Sequence, residues 1–214
     1  FTGHQGVKSI TELAKKISTQ YDVPVNKFFL CSTGVIGEPY PIKKILSAIT
    51  KKRLPNKDWL NSAKAIMTTD TFPKGVTRSF RFNDVKSYIT GISKGSGMIE
   101  PNMATMLGFV FVEIDMPKIL LQKLLTQVTN DTFNKITVDG DESTNDTVIL
   151  VSTNRLTPNN TIKSLNDPQI RNFKNELKYV FKYLAELIVR DGEGASKLIT
   201  VVVKNAHSEP HAKK

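Results

Sequence analysis

Cysteine and histidine are scarce in this 214-residue sequence, and their scarcity excludes several kinds of site. The single cysteine, Cys31, has no second cysteine to pair with, which fits a reducing compartment and excludes a zinc site built from cysteines. The three histidines, His4, His207 and His211, lie near the two ends without ligand spacing. The sequence therefore predicts no metal site, and it offers no Ser-His-Asp or Cys-His nucleophile.

Long apolar runs are also absent. No window reaches the roughly 18 consecutive apolar residues that a membrane-spanning helix needs, and Phe1 does not open a signal peptide. We therefore expect a soluble protein without a membrane partner. The composition, 39% hydrophobic and 23% charged, is sufficient for a buried core in one large domain or two small ones.

The formal net charge of +10 comes from lysines and arginines that are scattered along the chain. Short basic groups at 15–16, 43–44 and 51–53 fall on the polar faces of predicted helices, and no aromatic stacking platform accompanies them. This pattern favours a solvated surface over a nucleic-acid partner. The alternative, a basic binding module without enzymatic activity, would show salt-sensitive binding of nucleic acid.

Alternating helix and strand patterns predict a mixed α and β protein. Helices are predicted over 9–20, where Ser9 and Glu12 are spaced as a capping box, after Pro41, Asp58 and Pro117, and over 176–190. Strands are predicted over 27–31, in two pieces within 78–92, and over 106–114, 146–152 and 197–203. The polar segment 154–172 is predicted to be a surface loop.

Five loops are rich in glycine, hydroxyl and acidic residues: CSTGVIG (31–37), TTDTFPKG (68–75), KGSGMIEPNMAT (94–105), VDGDESTND (138–146) and DGEGASK (191–197). Each alone is typical of an ordinary turn. Together they suit a site where the backbone approaches a ligand closely. Because histidine is missing from all of them, the nucleophile left open is a hydroxyl, and a threonine becomes one when its own α-amine is free to act as the base.

These motifs, in this order, resemble those of the ornithine acetyltransferases, the glutamate N-acetyltransferases of arginine biosynthesis. The stretch KGSGMIEPNMATML (94–107) is the most specific of them, and the resemblance runs from TGHQG at Thr2 to the last predicted strand. It implies a layered α/β sandwich of the self-processing, N-terminal-nucleophile-like type. It also implies a dimer of cleaved heterodimers and a family chain that continues beyond both ends of this sequence.

The resemblance implies that the precursor cleaves itself between Ala104 and Thr105. Residues 1–104 would then belong to the first chain and residues 105–214 to the second, within one catalytic unit. Thr105 would become the N-terminal nucleophile and a substrate-binding residue. The hydroxyl of Thr33 and the N–H of Gly34 would form the oxyanion hole.

Three further residues match substrate-binding positions of the family: Thr71, Lys94 and Glu193, with Lys94 suited to an α-carboxylate and Glu193 to an amine. The implied reaction moves an acetyl group from N-acetylornithine to glutamate through an acyl-threonine, with no bound cofactor and with acetyl-CoA as a second donor in bifunctional members. A self-processing aminopeptidase of the same fold, which would release the acyl group to water, is the alternative. The expected compartment is the cytoplasm, or the mitochondrial matrix in a eukaryote.

Overall fold

The computed structural model describes residues 2–49, 58–82, 84–100, 106–153 and 162–212, without the side chains of residues 209 and 210. Its helices are α1 (Gly3–Tyr21), α2 (Ile42–Ile49), α3 (Trp59–Ala65), α4 (Lys118–Asp131), α5 (Arg171–Arg190) and α6 (Glu209–Ala212). Its strands are β1 (Lys74–Phe82), β2 (Val85–Lys94), β3 (Leu107–Val112) and β4 (Thr147–Ser152). The predicted cleavage junction, Ala104 and Thr105, lies outside the described residues.

The four strands form one sheet in the order β1-β2-β3-β4. β1 and β2 pair as an antiparallel hairpin, β2 and β3 are antiparallel, and β3 and β4 are parallel. Lys94 at the end of β2 is paired with Leu107 at the start of β3, and Leu107 is paired with Thr147 at the start of β4. The loops next to these three residues therefore meet at one edge of the sheet.

Helices cover both faces of this sheet. α5 packs on the face that carries Gly91 of β2, where an added Cβ would lie 2.8 Å from a methyl group of Leu184. The ring of Phe80 contacts that of Phe173 on the same face, with centroids 5.1 Å apart. Trp59 of α3 contacts Phe111 on the opposite face at 5.0 Å. The predicted class, a mixed α and β protein in layers, is confirmed.

Several predicted element boundaries are also confirmed. Asp58 caps α3, since its carboxylate accepts a hydrogen bond from the N–H of Asn61 at 3.0 Å. Pro117 lies directly before α4 and Pro41 directly before α2, as residues with a fixed φ and no N–H do at helix starts. The two strand pieces predicted within 78–92 are the β1–β2 hairpin.

Two helix starts differ from the prediction. α1 begins at Gly3, six residues before the predicted start, so Ser9 is not its cap and is instead buried inside the helix. Residues 3–8 contain no proline, so each of them keeps the backbone N–H that a helix uses. α5 begins at Arg171 and takes in the end of the predicted loop 154–172, of which residues 154–161 lie outside the described part.

The strands predicted over 27–31 and 197–203 are wrong. The first segment continues an isolated 3-10 turn, Val25–Lys27, and the second is extended chain without strand pairing. Val201 in the second segment is 82% exposed. A strand requires a neighbour that satisfies its N–H and C=O groups, and no described segment pairs with either one.

Candidate active site

Lys94 is a buried cation at the edge of the sheet where the loops meet. Its side chain is 1% exposed, and its ammonium donates a hydrogen bond to the hydroxyl of Thr68 at 2.9 Å. Burial lowers the pKa of Lys94, because desolvation disfavours the charged form, while the carboxylates of Asp70 and Asp146 act in the opposite direction. Among the described residues no carboxylate forms an ion pair with it, so hydrogens of the ammonium remain available to an anion.

A second buried lysine, Lys74 at the start of β1, lies between two carboxylates. Its ammonium is 2.7 Å from Asp70 and 2.5 Å from Asp191, and all three side chains are at most 1% exposed. Asp70 also accepts a hydrogen bond from the N–H of Gly95 at 2.7 Å. Burial alone would raise the pKa of Asp70, but the hydrogen bonds from Lys74, Gly95 and Thr68 outweigh it and lower that pKa.

Thr71 is attached to this buried triad through Asp191. Its N–H donates to Asp191 at 3.0 Å, and its hydroxyl donates to the same carboxylate. Thr69 shares a hydrogen bond of 2.7 Å with the hydroxyl of Ser96, which lies two residues after the end of β2. The loop 68–71 is therefore held both to the end of β2 and to the loop that follows α5.

Glu193 lies in the loop after α5, against the loop that follows Lys94. Its N–H donates to the carbonyl oxygen of Ser96 at 2.7 Å. Its carboxyl group lies over Gly97, where an added Cβ would be 3.0 Å from the side-chain carboxyl carbon. The predicted substrate-binding residues thus lie close together: Thr71 and Glu193 are on two loops that hydrogen bonds connect to the segment directly after β2, the strand that ends at Lys94.

The loop 138–146 presents two carboxylates to the segments on either side of the predicted cleavage junction. Asp139 accepts hydrogen bonds from the N–H groups of Met98 at 2.6 Å and Ile99 at 2.9 Å. Asp146 accepts one from the N–H of Met106 at 2.7 Å, the residue that follows Thr105 in the sequence. Burial raises the pKa of Asp146 to about 6, although the N–H of Met106 and the charge of Lys94 act against it.

The predicted oxyanion-hole residues, Thr33 and Gly34, lie in the loop before α2. They line a cavity of about 190 Å³ together with Thr144 and Asn145, the two residues before Asp146. No hydrogen bond among the described residues joins them to the other predicted substrate-binding residues. Their connection to the rest of the site is the loop 138–146, and their role stays a prediction.

Sequence reasoning missed five charged residues of this arrangement. Asp70, Lys74 and Asp191 lie inside motifs that the sequence analysis singled out, but Lys74 and Asp191 are 117 residues apart in the chain. Asp139 and Asp146 both lie in the fourth motif, 138–146. Asp70, flanked by Thr69 and Thr71 in a glycine-containing motif, carries a signal that could have found it. The pairing of Lys74 with Asp191 depends on the packing of α5 against the sheet, and no local pattern indicates it.

The comparisons with known proteins agree with this arrangement of motifs. The ArgJ family model matches residues 1–214. Among curated relatives, the "arginine biosynthesis bifunctional protein ArgJ" of Gluconobacter oxydans is 41% identical over 97% of this chain and 49% of its own length. The protein of the same name from Caldanaerobacter subterraneus subsp. tengcongensis is 43% identical over 99% of this chain and 53% of its own length. The chain belongs to the ArgJ family.

A solved structure is also similar to part of the chain. The crystal structure of the arginine biosynthesis bifunctional protein ArgJ from Bacillus halodurans is 44% identical, covering 44% of this chain and 43% of that one, with a TM-score of 0.41. The chain spans about half the length of the curated relatives it matches. Its described residues contain no helix that is long and apolar enough to cross a membrane.

Proposed function

We propose that the full-length protein is an acetyltransferase of arginine biosynthesis, which moves the acetyl group of N-acetylornithine to glutamate. Membership of the ArgJ family supports this function. The observation that carries it is Lys94, a buried cation with one hydrogen bond within the described residues, beside loops that bear Thr71 and Glu193. An arrangement with one available cation and one acidic side chain suits an amino acid that carries charges of both signs.

In this proposal Lys94 binds the α-carboxylate of the substrate. A buried ammonium without an ion-pair partner is costly, and an incoming carboxylate supplies both the opposite charge and the missing acceptor. Glu193 lies at the exposed end of the same group of loops and would accept hydrogen bonds from a substrate amine. Thr71, whose N–H and hydroxyl are held by Asp191, has a fixed position from which its oxygen can contact the ligand.

The chemistry of the proposal belongs to Thr105, which lies outside the described residues. Its hydroxyl oxygen would attack the acetyl carbonyl carbon while its own α-amine takes the hydroxyl proton. The proton then goes to the departing ornithine nitrogen, the C–N bond breaks, and an acetyl ester of Thr105 remains. The α-amine of glutamate attacks this ester, N-acetylglutamate leaves, and the threonine hydroxyl is restored.

In this mechanism the chain generates its own N-terminal nucleophile by cleaving itself. The hydroxyl of Thr105 would attack the carbonyl of Ala104 and convert the amide into an ester, which water then hydrolyses to free the α-amine. The hydroxyl of Thr33 and the N–H of Gly34 would stabilise the oxyanion, and one such donor typically contributes about 2.7–4 kcal/mol. Directly after Met106 the chain enters β3, so the predicted nucleophile is attached to a rigid element.

Other features of the family are parts of the same proposal. The cleaved chains would assemble as a dimer of heterodimers, acetyl-CoA would serve as a second acetyl donor, and the compartment would be the cytoplasm or the mitochondrial matrix. The alternative function is a self-processing amidohydrolase of the same fold. It would use the same nucleophile and differ in the acceptor, which would be water in place of glutamate.

The test is to compare intact masses of the full-length protein, of Thr105→Ala, and of a matched control, Thr126→Ala on the exposed side of α4. We expect two chains that meet between residues 104 and 105 in the wild type and in the control, and one uncut chain in Thr105→Ala. Acetyl transfer from N-acetylornithine to glutamate is then measured beside acetate release. A folded but uncut wild type would contradict the proposal, and acetate release without transfer would favour the amidohydrolase.

A further inference from the structure

One carboxylate oxygen of Asp146 has no hydrogen-bond donor among the described residues. One carboxylate oxygen accepts a hydrogen bond from the N–H of Met106 at 2.7 Å. The other oxygen is buried and has no hydrogen-bond partner among the described residues. Leaving a buried acceptor unpaired costs free energy, and more when the group is charged. Such a group in a folded protein therefore requires an explanation.

Asp139, seven residues earlier in the same loop, shows how a carboxylate here uses both of its oxygens. One oxygen accepts from the N–H of Ile99 and the other from the N–H of the preceding residue, Met98. The result is a carboxylate that holds two successive backbone nitrogens. Asp146 makes the first half of this pattern with Met106. The nitrogen that would complete it is that of the residue before Met106, which is Thr105.

We propose that Asp146 is a positioning residue for the N-terminal threonine, and that its second oxygen holds the α-amine of Thr105 in the cleaved protein. This inference rests on the proposed function. Successive backbone nitrogens are about 3 Å apart, so a carboxylate oxygen beside the one that binds Met106 is within reach of the preceding nitrogen. The bond would fix the amine, and therefore the direction in which it accepts the hydroxyl proton.

The charge of Asp146 gives this contact a role in the reaction. The amine becomes an ammonium when it takes the proton of the Thr105 hydroxyl, and a carboxylate beside it stabilises that positive charge. One proton moves from the hydroxyl to the amine, and Asp146 takes none. Within the described residues the charge that acts on Asp146 is that of Lys94 in β2. The charges of Asp70 and Lys74 act in turn on Lys94.

The experiment compares Asp146→Asn with the wild type in the full-length protein. Asparagine keeps an acceptor for the N–H of Met106 but loses the charge. Without that charge the pKa of the α-ammonium falls, so the acidic limb of kcat/KM for acetyl transfer should move to lower pH, by about one unit. We also expect kcat to fall about tenfold or more. The matched control is Asp139→Asn, which changes the same type of carboxylate in the same loop and should leave the limb in place.

The α-amine is titrated directly as a second measurement, by following an isotopically labelled methyl group introduced on it. If Asp146→Asn remains uncut, both measurements are made on protein assembled in cells from two separately encoded chains, the second of which begins at Thr105. A cleaved Asp146→Asn protein with an unchanged acidic limb and an unchanged α-amine pKa would overturn the role of Asp146 alone. An uncut wild type would instead overturn the proposed function on which it rests.

Discussion

Replacing Lys74 by methionine is expected to destabilise the protein strongly. The substitution keeps most of the side-chain volume but removes the cation that lies 2.7 Å from Asp70 and 2.5 Å from Asp191. All three side chains are at most 1% exposed, so water cannot replace the lost partner. Breaking a buried ion pair on one side typically costs about 3–5 kcal/mol, against a total stability of about 5–15 kcal/mol.

The free energy of unfolding is measured by urea denaturation of the full-length protein, with Lys178→Met as the matched control. Lys178 forms an ion pair of 2.6 Å with Asp131, but its side chain is 56% exposed. An exposed pair of this kind contributes about 0–1 kcal/mol. The two variants therefore make the same chemical change, one at a buried ion pair and one at an exposed ion pair. If Lys74→Met loses no more stability than Lys178→Met, the expected cost of breaking the buried ion pairs of Lys74 is wrong.

The pH dependence of the loss provides a second check. In the wild type the pKa of Asp70 is lowered, so its contribution to stability is present above its ordinary value of about 3.8 and is lost as the pH falls through the lower folded value. In Lys74→Met the cation no longer lowers it, and protonation relieves the unpaired charge. The difference between variant and wild type should therefore be largest near neutral pH and shrink toward pH 4.

Three further predictions concern the same edge of the sheet and the core beneath it. In an uncut Thr105→Ala background, Asp146→Asn should raise the urea midpoint above pH 7, because a folded pKa of about 6 penalises the ionised form, by less than about 3 kcal/mol since the carboxylate is only half-buried and solvent screens its charge. That gain should vanish as the pH falls from 6 to 4. Lys94→Met should leave cleavage intact, measured by mass, and raise KM for N-acetylornithine at least about tenfold. Gly91→Ala places a Cβ 2.8 Å from a side-chain carbon of α5 and should lower stability by about 1–3 kcal/mol in a urea titration, whereas Gly75→Ala, with its nearest contact at 3.5 Å, should not.

Much of the fold could be predicted from local patterns. The α4 helix, the β1–β2 hairpin, β3 and the part of α5 from residue 176 onward follow from apolar periodicity and from local start and stop residues. The strands predicted over 27–31 and 197–203 failed for a different reason. A run of apolar aromatic residues, as in 27–31, or of β-branched residues, as in 197–203, favours a strand. Whether the strand forms depends on another strand lying beside it, and the local sequence does not contain this information.

The proximity of Thr71, Lys94 and Glu193 could be predicted, because the resemblance assigns them to one site and the fold brings the segments that carry them next to one another, while their roles stay predictions. The triad of Asp70, Lys74 and Asp191 could not. Lys74 lies on a strand, where its charge suggests an exposed position. Its burial depends on the carboxylate of Asp191, which is 117 residues further along the chain. The spacing of residues in the sequence cannot predict a contact between residues so far apart in the chain.

The contrast between two sets of charges at this edge of the sheet bears on where a ligand would bind. Lys74, Asp70 and Asp191 compensate one another, and each accepts or donates hydrogen bonds to its neighbours within the described residues. Lys94 and Asp146, in the same part of the fold, each retain hydrogen-bonding capacity that the described residues do not use. Burial does not explain the difference between the two lysines, since Lys74 and Lys94 are both fully buried at one edge of the sheet. Asp146 is half-buried, and its unpaired oxygen is out of contact with solvent. Such uncompensated groups reduce stability and are typical of functional sites. Their opposite signs suit opposite occupants, a substrate carboxylate at Lys94 and a newly formed α-amine at Asp146.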